Sequence, residues 1–159
     1  RDWSSDVCSS DLSRRTAANY KQIVRSFKDP KLRVVNMSWR YGASAYESML
    51  AWHNVGANPQ ERKQLARQLF AIERDALREA IASAPEILFV AGSGNEDNSA
   101  DFEEYIPAGL NLPNLITAGA VDMAGEETSF STFGKTVVVH ANGFQVESFL
   151  PGEIGRAHV

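Results

Sequence analysis

Apolar residues recur at helical spacing in the first part of the chain. From Ser13 to Lys28 they lie three and four positions apart, which predicts a helix with one buried face. Asp29-Pro30 is expected to end this helix, because the residue before a proline avoids the helical conformation. A shorter helix is expected from Gly42 to Val55. The apolar positions of the first helix are Ala17, Tyr20, Ile23, Val24 and Phe27.

A second long helix has a strong start signal at Asn58. Asn58 can cap the helix, Pro59 suits its first turn, and Glu61 occupies the capping-box position. The helical pattern continues to about Ala84 and stops at Pro85. The predicted apolar stripe comprises Leu65, Leu69, Ile72, Ala76, Ala80 and Ala84.

Four short apolar runs alternate with these helices or follow them. Strand–helix–strand units of this length make right-handed crossovers, so the runs are expected to form a buried parallel sheet. The fold class predicted is α/β, with a parallel sheet flanked by helices. Ligands bind beyond the carboxyl ends of such strands, where one loop starts at Ser38 and another runs from Gly92 to Asn98. The predicted strands are Leu32–Ser38, Ile87–Ala91, Leu115–Val121 and Thr136–His140.

Composition excludes several classes of function. The net charge of −4 gives no basic surface of the kind that binds nucleic acid. No apolar run approaches the roughly 20 residues that span a bilayer. The single cysteine, Cys8, allows no disulfide within the chain.

The two ends of the chain are related through the genetic code. Residues 6–12 can be encoded by a DNA string whose reverse complement, with one added base, encodes residues 153–159. Such a pair is the signature of a sequencing-library adapter, and neither end has the apolar periodicity of a helix or a strand. We therefore expect residues 1–12 and 153–159 to be adapter-derived and residues 13–152 to be the biological segment. A genuine peptide whose back-translation matches by chance is the alternative.

Gly92-Ser93-Gly94 follows a predicted strand, as glycines do in dinucleotide-binding turns. The third glycine of that motif would fall at position 97, which is Asp97. The adjacent Glu96 carboxylate would repel a pyrophosphate. These two residues argue against a dinucleotide site.

Five motifs follow one another in an order that resembles the subtilisin-like serine proteases, the subtilase family. The similarity covers most of residues 32–152, and the motifs are specific as a set rather than singly. The resemblance implies a subtilisin-like α/β domain that is incomplete here. The motifs are Val34-Val35-Asn36-Met37-Ser38, Phe89-Val90-Ala91-Gly92-Ser93-Gly94-Asn95-Glu96, Ile106-Pro107-Ala108 with Asn114 to Asp122, Phe130-Ser131-Thr132-Phe133-Gly134, and Ser148-Phe149-Leu150-Pro151-Gly152.

The resemblance implies a catalytic role for Asn95. It matches the family's side-chain donor to the oxyanion that forms during peptide hydrolysis. A turn or capping role is the alternative for a loop asparagine. Gly92, Ser93 and Gly94 match one wall of the pocket for the residue before the cut bond, and a tight turn is their alternative.

Ser38, Trp39 and Arg40 match the opposite wall of that pocket. The backbone there would pair with an extended polypeptide substrate as an added strand. Trp39 fits a core aromatic equally well. The family usually has Ser-Leu-Gly at this wall, so Trp39 and Arg40 depart from its pattern and alter the expected size and charge of the pocket.

None of the family's three catalytic motifs is present in the sequence. His53 and His140 lack the context of the family's catalytic histidine. The chain alone is therefore expected to be inactive, as a fragment of a serine endopeptidase whose Ser-His-Asp triad lies outside it. The alternative is a peptide-binding module that lost its triad.

The resemblance bears on three further properties. Calcium is common in the family, although the carboxylates here lack convincing ligand spacing, and the acidic run from Glu96 to Glu104 is typical of a solvated loop. The parent protein is expected to be secreted or to belong to the cell envelope. The Ile106–Pro107 bond is either cis, as it often is in the family, or trans, as in most X–Pro bonds.

Overall fold

A computed structural model of the protein describes residues 6–26, 31–99, 105–150 and 153–156. The helices are α1 (Asp6–Ser26), α2 (Ala43–Trp52) and α3 (Pro59–Ala82). The strands are β1 (Val34–Met37), β2 (Tyr41–Gly42), β3 (Leu88–Gly92), β4 (Tyr105–Ile106), β5 (Leu115–Val121), β6 (Val137–Asn142), β7 (Glu147–Leu150) and β8 (Glu153–Arg156). No helix within these ranges has the length and apolar character of a membrane span.

Four of the strands form one parallel sheet, in the order β1-β3-β5-β6. Met37 of β1 lies opposite Ala91 of β3, and Gly92 lies opposite Ala118 of β5. Because the strands run in one direction, their carboxyl ends meet at a single edge. The predicted α/β class and the parallel sheet flanked by helices are confirmed.

Two antiparallel strand pairs are absent from the sequence-based prediction. β2 pairs with β4, which places Tyr41 opposite Ile106, and β7 pairs with β8. Strands this short leave no readable apolar period, and β8 falls in the terminal stretch where the pattern indicates no strand. The peptide bond between Ile106 and Pro107 is cis, so the trans alternative is wrong.

The first helix is longer at its start than the apolar pattern indicates. It begins at Asp6 rather than at Ser13, because extending a formed helix adds one hydrogen bond per residue and needs no apolar stripe. Val24 is buried as predicted, whereas Ile23 is 51% exposed. The predicted end at Lys28 lies outside the described residues.

The start of α3 follows its sequence signal. The side-chain oxygen of Asn58 accepts a hydrogen bond from the backbone N–H of Glu61 at 2.9 Å. The Glu61 carboxylate accepts one from the N–H of Ala57 at 2.7 Å, one residue before the usual capping-box partner. The predicted cap is therefore confirmed.

The buried face of α3 is rotated from the predicted stripe in its first half. The predicted positions Leu65, Leu69 and Ile72 are only partly buried. The buried positions are Ala66, Phe70, Ala76, Leu77, Ala80 and Ile81. The rotation turns Phe70 into the core, where it lies in one cluster with Phe89 of β3. Burying a side chain of this size stabilises a fold by about 1.5–3 kcal/mol.

Asn114 links α3 to the sheet. Its side chain is among the buried polar groups, and its Nδ2 donates to the carbonyl oxygens of Ile81 and Ala84 at 3.0 Å each and of Ile87 at 3.2 Å. The carbonyls at a helix end lack partners within the helix. A single amide therefore adds a donor to carbonyls that also accept backbone N–H groups, as Ile81 O does from Ala84 and Ala84 O from Ile87, and it holds the end of α3 beside the start of β3.

Tyr20 joins α1 to α3 through its hydroxyl, which donates to the carboxylate of Glu73. Burial raises the pKa of Tyr20, and the hydrogen bond and charge of Glu73 raise that pKa further. Above the ordinary tyrosine pKa of about 10, the unfolded chain loses this proton before the folded chain does. The stability that the proton contributes is therefore present below about pH 10 and is lost as the pH rises further.

We expect Asn114→Ala to lower the free energy of unfolding by about 1–3 kcal/mol, because the buried hydrogen bonds of the Asn114 amide to three carbonyl oxygens are lost. Asn142→Ala is the matched control: Asn142 is exposed, and its loss should cost less than about 0.5 kcal/mol. Urea denaturation measures both values. Equal losses in the two variants would contradict the role given to Asn114.

We expect Tyr20→Phe to be less stable than the wild type near neutral pH by about 1 kcal/mol, because one hydrogen bond is lost. The variant should also lose less stability above about pH 10, since it has no phenol to ionise at this position. Melting temperatures measured across this range test both statements. Parallel pH curves for the two proteins would show that Tyr20 does not carry the effect.

Candidate active site

Both loops predicted to bind a ligand lie at the carboxyl edge of the sheet. Segment Ser38–Arg40 follows β1, and the loop of residues 92–98, termed the asparagine loop, starts at the last residue of β3. Because Met37 pairs with Ala91, the two segments leave the sheet side by side. The structure therefore brings every residue predicted for the site to one edge.

Ser38 and Trp39 of the segment Ser38–Arg40 present their side chains at the surface. Ser38 is exposed, and its hydroxyl shares hydrogen bonds of 2.9 and 3.2 Å with the side chain of Asn36. Trp39 is 36% exposed, and its ring centroid lies 5.6 Å from that of Tyr41. The alternative that Trp39 is a core aromatic is therefore wrong.

The glycines of the asparagine loop differ in the space around them. A Cβ added to Gly92 would meet no atom within 4 Å, and Gly92 is exposed. Gly94 has φ +121°, a conformation that residues with side chains rarely adopt. Ser93 between them is buried, and its N–H donates to the carbonyl of Ala118 at 2.8 Å. The loop is thus anchored at Ser93 and open at Gly92.

Asn95 is exposed on this loop while its backbone is held. Its N–H donates to the carboxylate of Glu96 at 2.9 Å. No hydrogen bond joins the Asn95 side chain to any other residue that the structure describes. A side-chain amide carries two N–H donors, so an exposed Asn95 can offer both to a ligand.

Residues 128–133, termed the bracing segment, pack against the asparagine loop and form hydrogen bonds with its backbone. Ser131 and Thr132 are almost completely buried, at 1% and 0% exposure. Backbone hydrogen bonds run between the two segments in both directions, so that neither can shift without the other. They join the N–H of Asp97 to Phe130 O at 3.0 Å, the N–H of Thr132 to Gly94 O at 3.0 Å, and the N–H of Phe133 to Asn98 O at 3.1 Å.

The Arg40 side chain reaches from the segment Ser38–Arg40 to the asparagine loop and to the bracing segment. Its guanidinium pairs with Glu96, donates to Oγ1 of Thr132 at 3.1 Å and lies 3.6 Å above the ring of Tyr105. Oγ1 of Thr132 donates to Asn98 at 3.2 Å, and the Asn98 amide donates to the Tyr105 hydroxyl at 3.0 Å. These five residues form the Arg40 cluster. Because the Arg40 side chain is only 14% exposed, water competes weakly for its contacts with Thr132 and Tyr105, whereas the Glu96 carboxylate is 52% exposed to solvent.

The contacts of Arg40 are not predicted from the sequence. Glu96 was expected in a solvated acidic loop, but its carboxylate is shared by Arg40 and the N–H of Asn95. Thr132 lies 92 positions from Arg40 in the sequence, and no local pattern joins them. One feature of the sequence does indicate these contacts. Arg40 stands at a position that the family fills with glycine, and its guanidinium needs hydrogen-bond acceptors nearby.

Two histidines, His53 and His140, lie within the described residues, and His158 lies outside them. His53 is the C-cap residue of α2. His140 lies in β6, with its ring against Gly119 of β5.

Carboxylates in the described part of the chain do not gather as metal ligands do. Within those ranges, no three His, Cys, Asp or Glu side chains come together in a group that could hold a metal ion. Three members of the acidic run, Asp101, Glu103 and Glu104, lie outside the described residues.

Comparison with known proteins assigns the chain to a family. The sequence profile of the subtilase family matches residues 3–155. The subtilisin-like proteinase Mp1 of Magnaporthiopsis poae is 35% identical over 101 residues, which cover 62% of this chain and 23% of that protein. A subtilisin-like protease of Coccidioides posadasii (strain C735) is 32% identical over 101 residues, covering 63% of this chain and 25% of that protein. The chain therefore spans about a quarter of the length of the relatives that it matches.

A solved structure shares the fold. The crystal structure of a cold adapted subtilisin-like serine proteinase matches with a TM-score of 0.57 and 19% identity, over 91% of this chain and 41% of that one. At this identity the likeness extends to the fold alone. Since the family profile covers nearly the whole sequence, the chain belongs to the subtilase family.

Proposed function

We propose that this chain is part of a serine endopeptidase and that Asn95 is its side-chain oxyanion donor. The observation that carries the proposal is the combination of an exposed Asn95 amide with a restrained backbone. Donors that are already in place when charge develops lower the barrier without the cost of reorganising at that moment. A flexible loop asparagine would lack this advantage.

The reaction proposed is hydrolysis through an acyl-enzyme. A serine hydroxyl attacks the substrate carbonyl while a histidine takes its proton, and the carbonyl oxygen becomes an oxyanion. Asn95 donates a hydrogen bond to that oxygen. The histidine then protonates the leaving amine, and water releases the acyl group by the same steps. The serine, the histidine and the aspartate that orients it are proposed to lie in parts of the parent protein beyond this chain.

The two segments at the sheet edge would hold the polypeptide substrate. Ser38–Arg40 follows β1 directly and belongs to no strand itself, and its backbone is proposed to pair with an extended peptide as an added strand. Gly92, Ser93 and Gly94 face it from the neighbouring strand end. The side chain before the cut bond, the P1 residue, would enter between them.

We also propose which residues of this chain are biological and where the parent protein is located. Residues 13–152 are proposed to be a partial catalytic domain, with residues 1–12 and 153–159 derived from adapters. No cofactor is evident from the sequence, and calcium is proposed from the family resemblance only; the parent protein is proposed to be exported or held in the cell envelope. A peptide-binding module without a triad remains the second candidate, supported by the absence of the family's catalytic motifs from this sequence.

We expect the flanking gene sequence to separate the two candidates. It should encode aspartate and histidine motifs upstream of Ser13 and a Gly-Thr-Ser-Met-Ala-like motif downstream of Gly152. The present chain by itself should release no product from a peptide substrate, because it lacks the nucleophile and its base. An intact reading frame that lacks all three motifs would favour the binding module.

We expect Asn95→Ala in the full-length protein to lower kcat far more than it changes KM. The oxyanion accepts a much stronger hydrogen bond than the ground-state carbonyl, so the loss falls on the transition state. The fall in kcat should be roughly 10²–10³-fold, a magnitude taken from subtilisin itself. Steady-state kinetics on a peptide substrate measure both constants.

Asn142→Ala is the matched control for this test, since Asn142 is also an exposed asparagine at the carboxyl end of a sheet strand. It should leave kcat and KM unchanged. The melting temperature of Asn95→Ala should stay close to that of the wild type. If Asn95→Ala keeps full kcat, or loses activity only through unfolding, Asn95 has a turn role and the oxyanion assignment is wrong.

A further inference from the structure

The Arg40 side chain occupies space between the segment Ser38–Arg40 and the asparagine loop. The glycine that the family has at this position would leave that space empty. A Cβ built on Gly94 would lie 1.7 Å from Nη1 of Arg40, 2.8 Å from its Cζ and 3.0 Å from its Cδ. The guanidinium therefore lies directly against the Gly94 backbone. By contrast, the space beside Gly92 is open. The gap between the segments is thus filled at its Gly94 end and free at its Gly92 end.

The charge of Arg40 is balanced within the cluster. Glu96 supplies the opposite charge, and the ring of Tyr105 lies under the guanidinium. Oγ1 of Thr132 accepts a hydrogen bond from the Arg40 guanidinium at 3.1 Å, which helps to fix the orientation of the guanidinium. Arg40 consequently contributes bulk to the gap while its positive charge is largely neutralised.

We propose that Arg40 determines substrate specificity by shortening the P1 pocket, so that the enzyme prefers small, uncharged P1 residues such as alanine. This inference rests on the proposed protease function, because it treats the gap between the segments as the P1 pocket. Long or aromatic P1 side chains would collide with a guanidinium held by three partners. Acidic P1 side chains would gain little from a cation that Glu96 already neutralises.

Two variants of the full-length enzyme separate the bulk of Arg40 from its charge. Arg40→Ala removes both. Glu96→Gln keeps the bulk and exposes the charge, and its amide oxygen can still accept the hydrogen bond from the N–H of Asn95. The Arg78→Ala variant is the control, since Arg78 pairs with Asp75 on the outer face of α3, away from the sheet edge.

The experiment measures kcat/KM for peptides that differ only at P1, with alanine, phenylalanine or glutamate there. The wild type should favour alanine. Arg40→Ala should raise the phenylalanine-to-alanine ratio roughly tenfold or more, since pocket contacts of even one methylene discriminate by this much. Glu96→Gln should raise the glutamate-to-alanine ratio roughly fivefold through the freed charge, and should leave the phenylalanine ratio unchanged. Arg78→Ala should change neither ratio.

The outcomes distinguish this inference from the function on which it rests. A wild type that cleaves none of the peptides, and no protein substrate, overturns the protease proposal and the inference with it. A wild type that cleaves them but favours phenylalanine, or an Arg40→Ala variant with an unchanged ranking, overturns the inference alone. If Arg40→Ala does not fold, Glu96→Gln decides, and an unchanged glutamate-to-alanine ratio then overturns the role of Arg40.

Discussion

The guanidinium of Arg40 lies where the two loops at the carboxyl edge of the sheet meet, and the geometry of the site depends on its contacts. It pairs with Glu96, whose carboxylate also accepts the backbone N–H of Asn95. It bonds Thr132 in the bracing segment and lies over Tyr105. Arginine suits this position because its planar cation offers several donors in fixed directions and stacks on aromatic rings. Without that cation, the carboxylate that holds the Asn95 backbone would lose its charged partner.

The site is also a consequence of the sheet beneath it. Parallel pairing of β1 with β3 aligns Met37 with Ala91, so the loops that follow must emerge next to each other. Pairing of β3 with β5 extends into the asparagine loop, because the N–H of Ser93 bonds to Ala118. At the other end of the same strands, Asn114 ties the sheet to α3. The framework is therefore fixed at both ends, while the exposed side chain of Asn95 is left for a ligand.

Local features were predictable from the sequence, and distant contacts were not. The cap at Asn58 depends on its immediate neighbours, and the sequence pattern identifies it correctly. The apolar period also located the strands of the parallel sheet, but it misplaced Ile23, because it does not show which face of a helix meets the core. The position of Trp39 at the surface depends on packing that no short pattern encodes. The bond from Arg40 to Thr132 joins residues 92 positions apart, and only the folded sheet brings them together.

The most direct measurement is a crystal structure of the full-length protein with a peptide aldehyde bound to its catalytic serine. The hemiacetal oxygen of such a complex occupies the place of the oxyanion. We expect this oxygen to lie about 2.7–3.1 Å from Nδ2 of Asn95, with Arg40 still paired with Glu96. A hemiacetal oxygen bound only by other donors, with the Asn95 side chain turned away from it, would contradict the role of the Arg40 cluster in presenting Asn95.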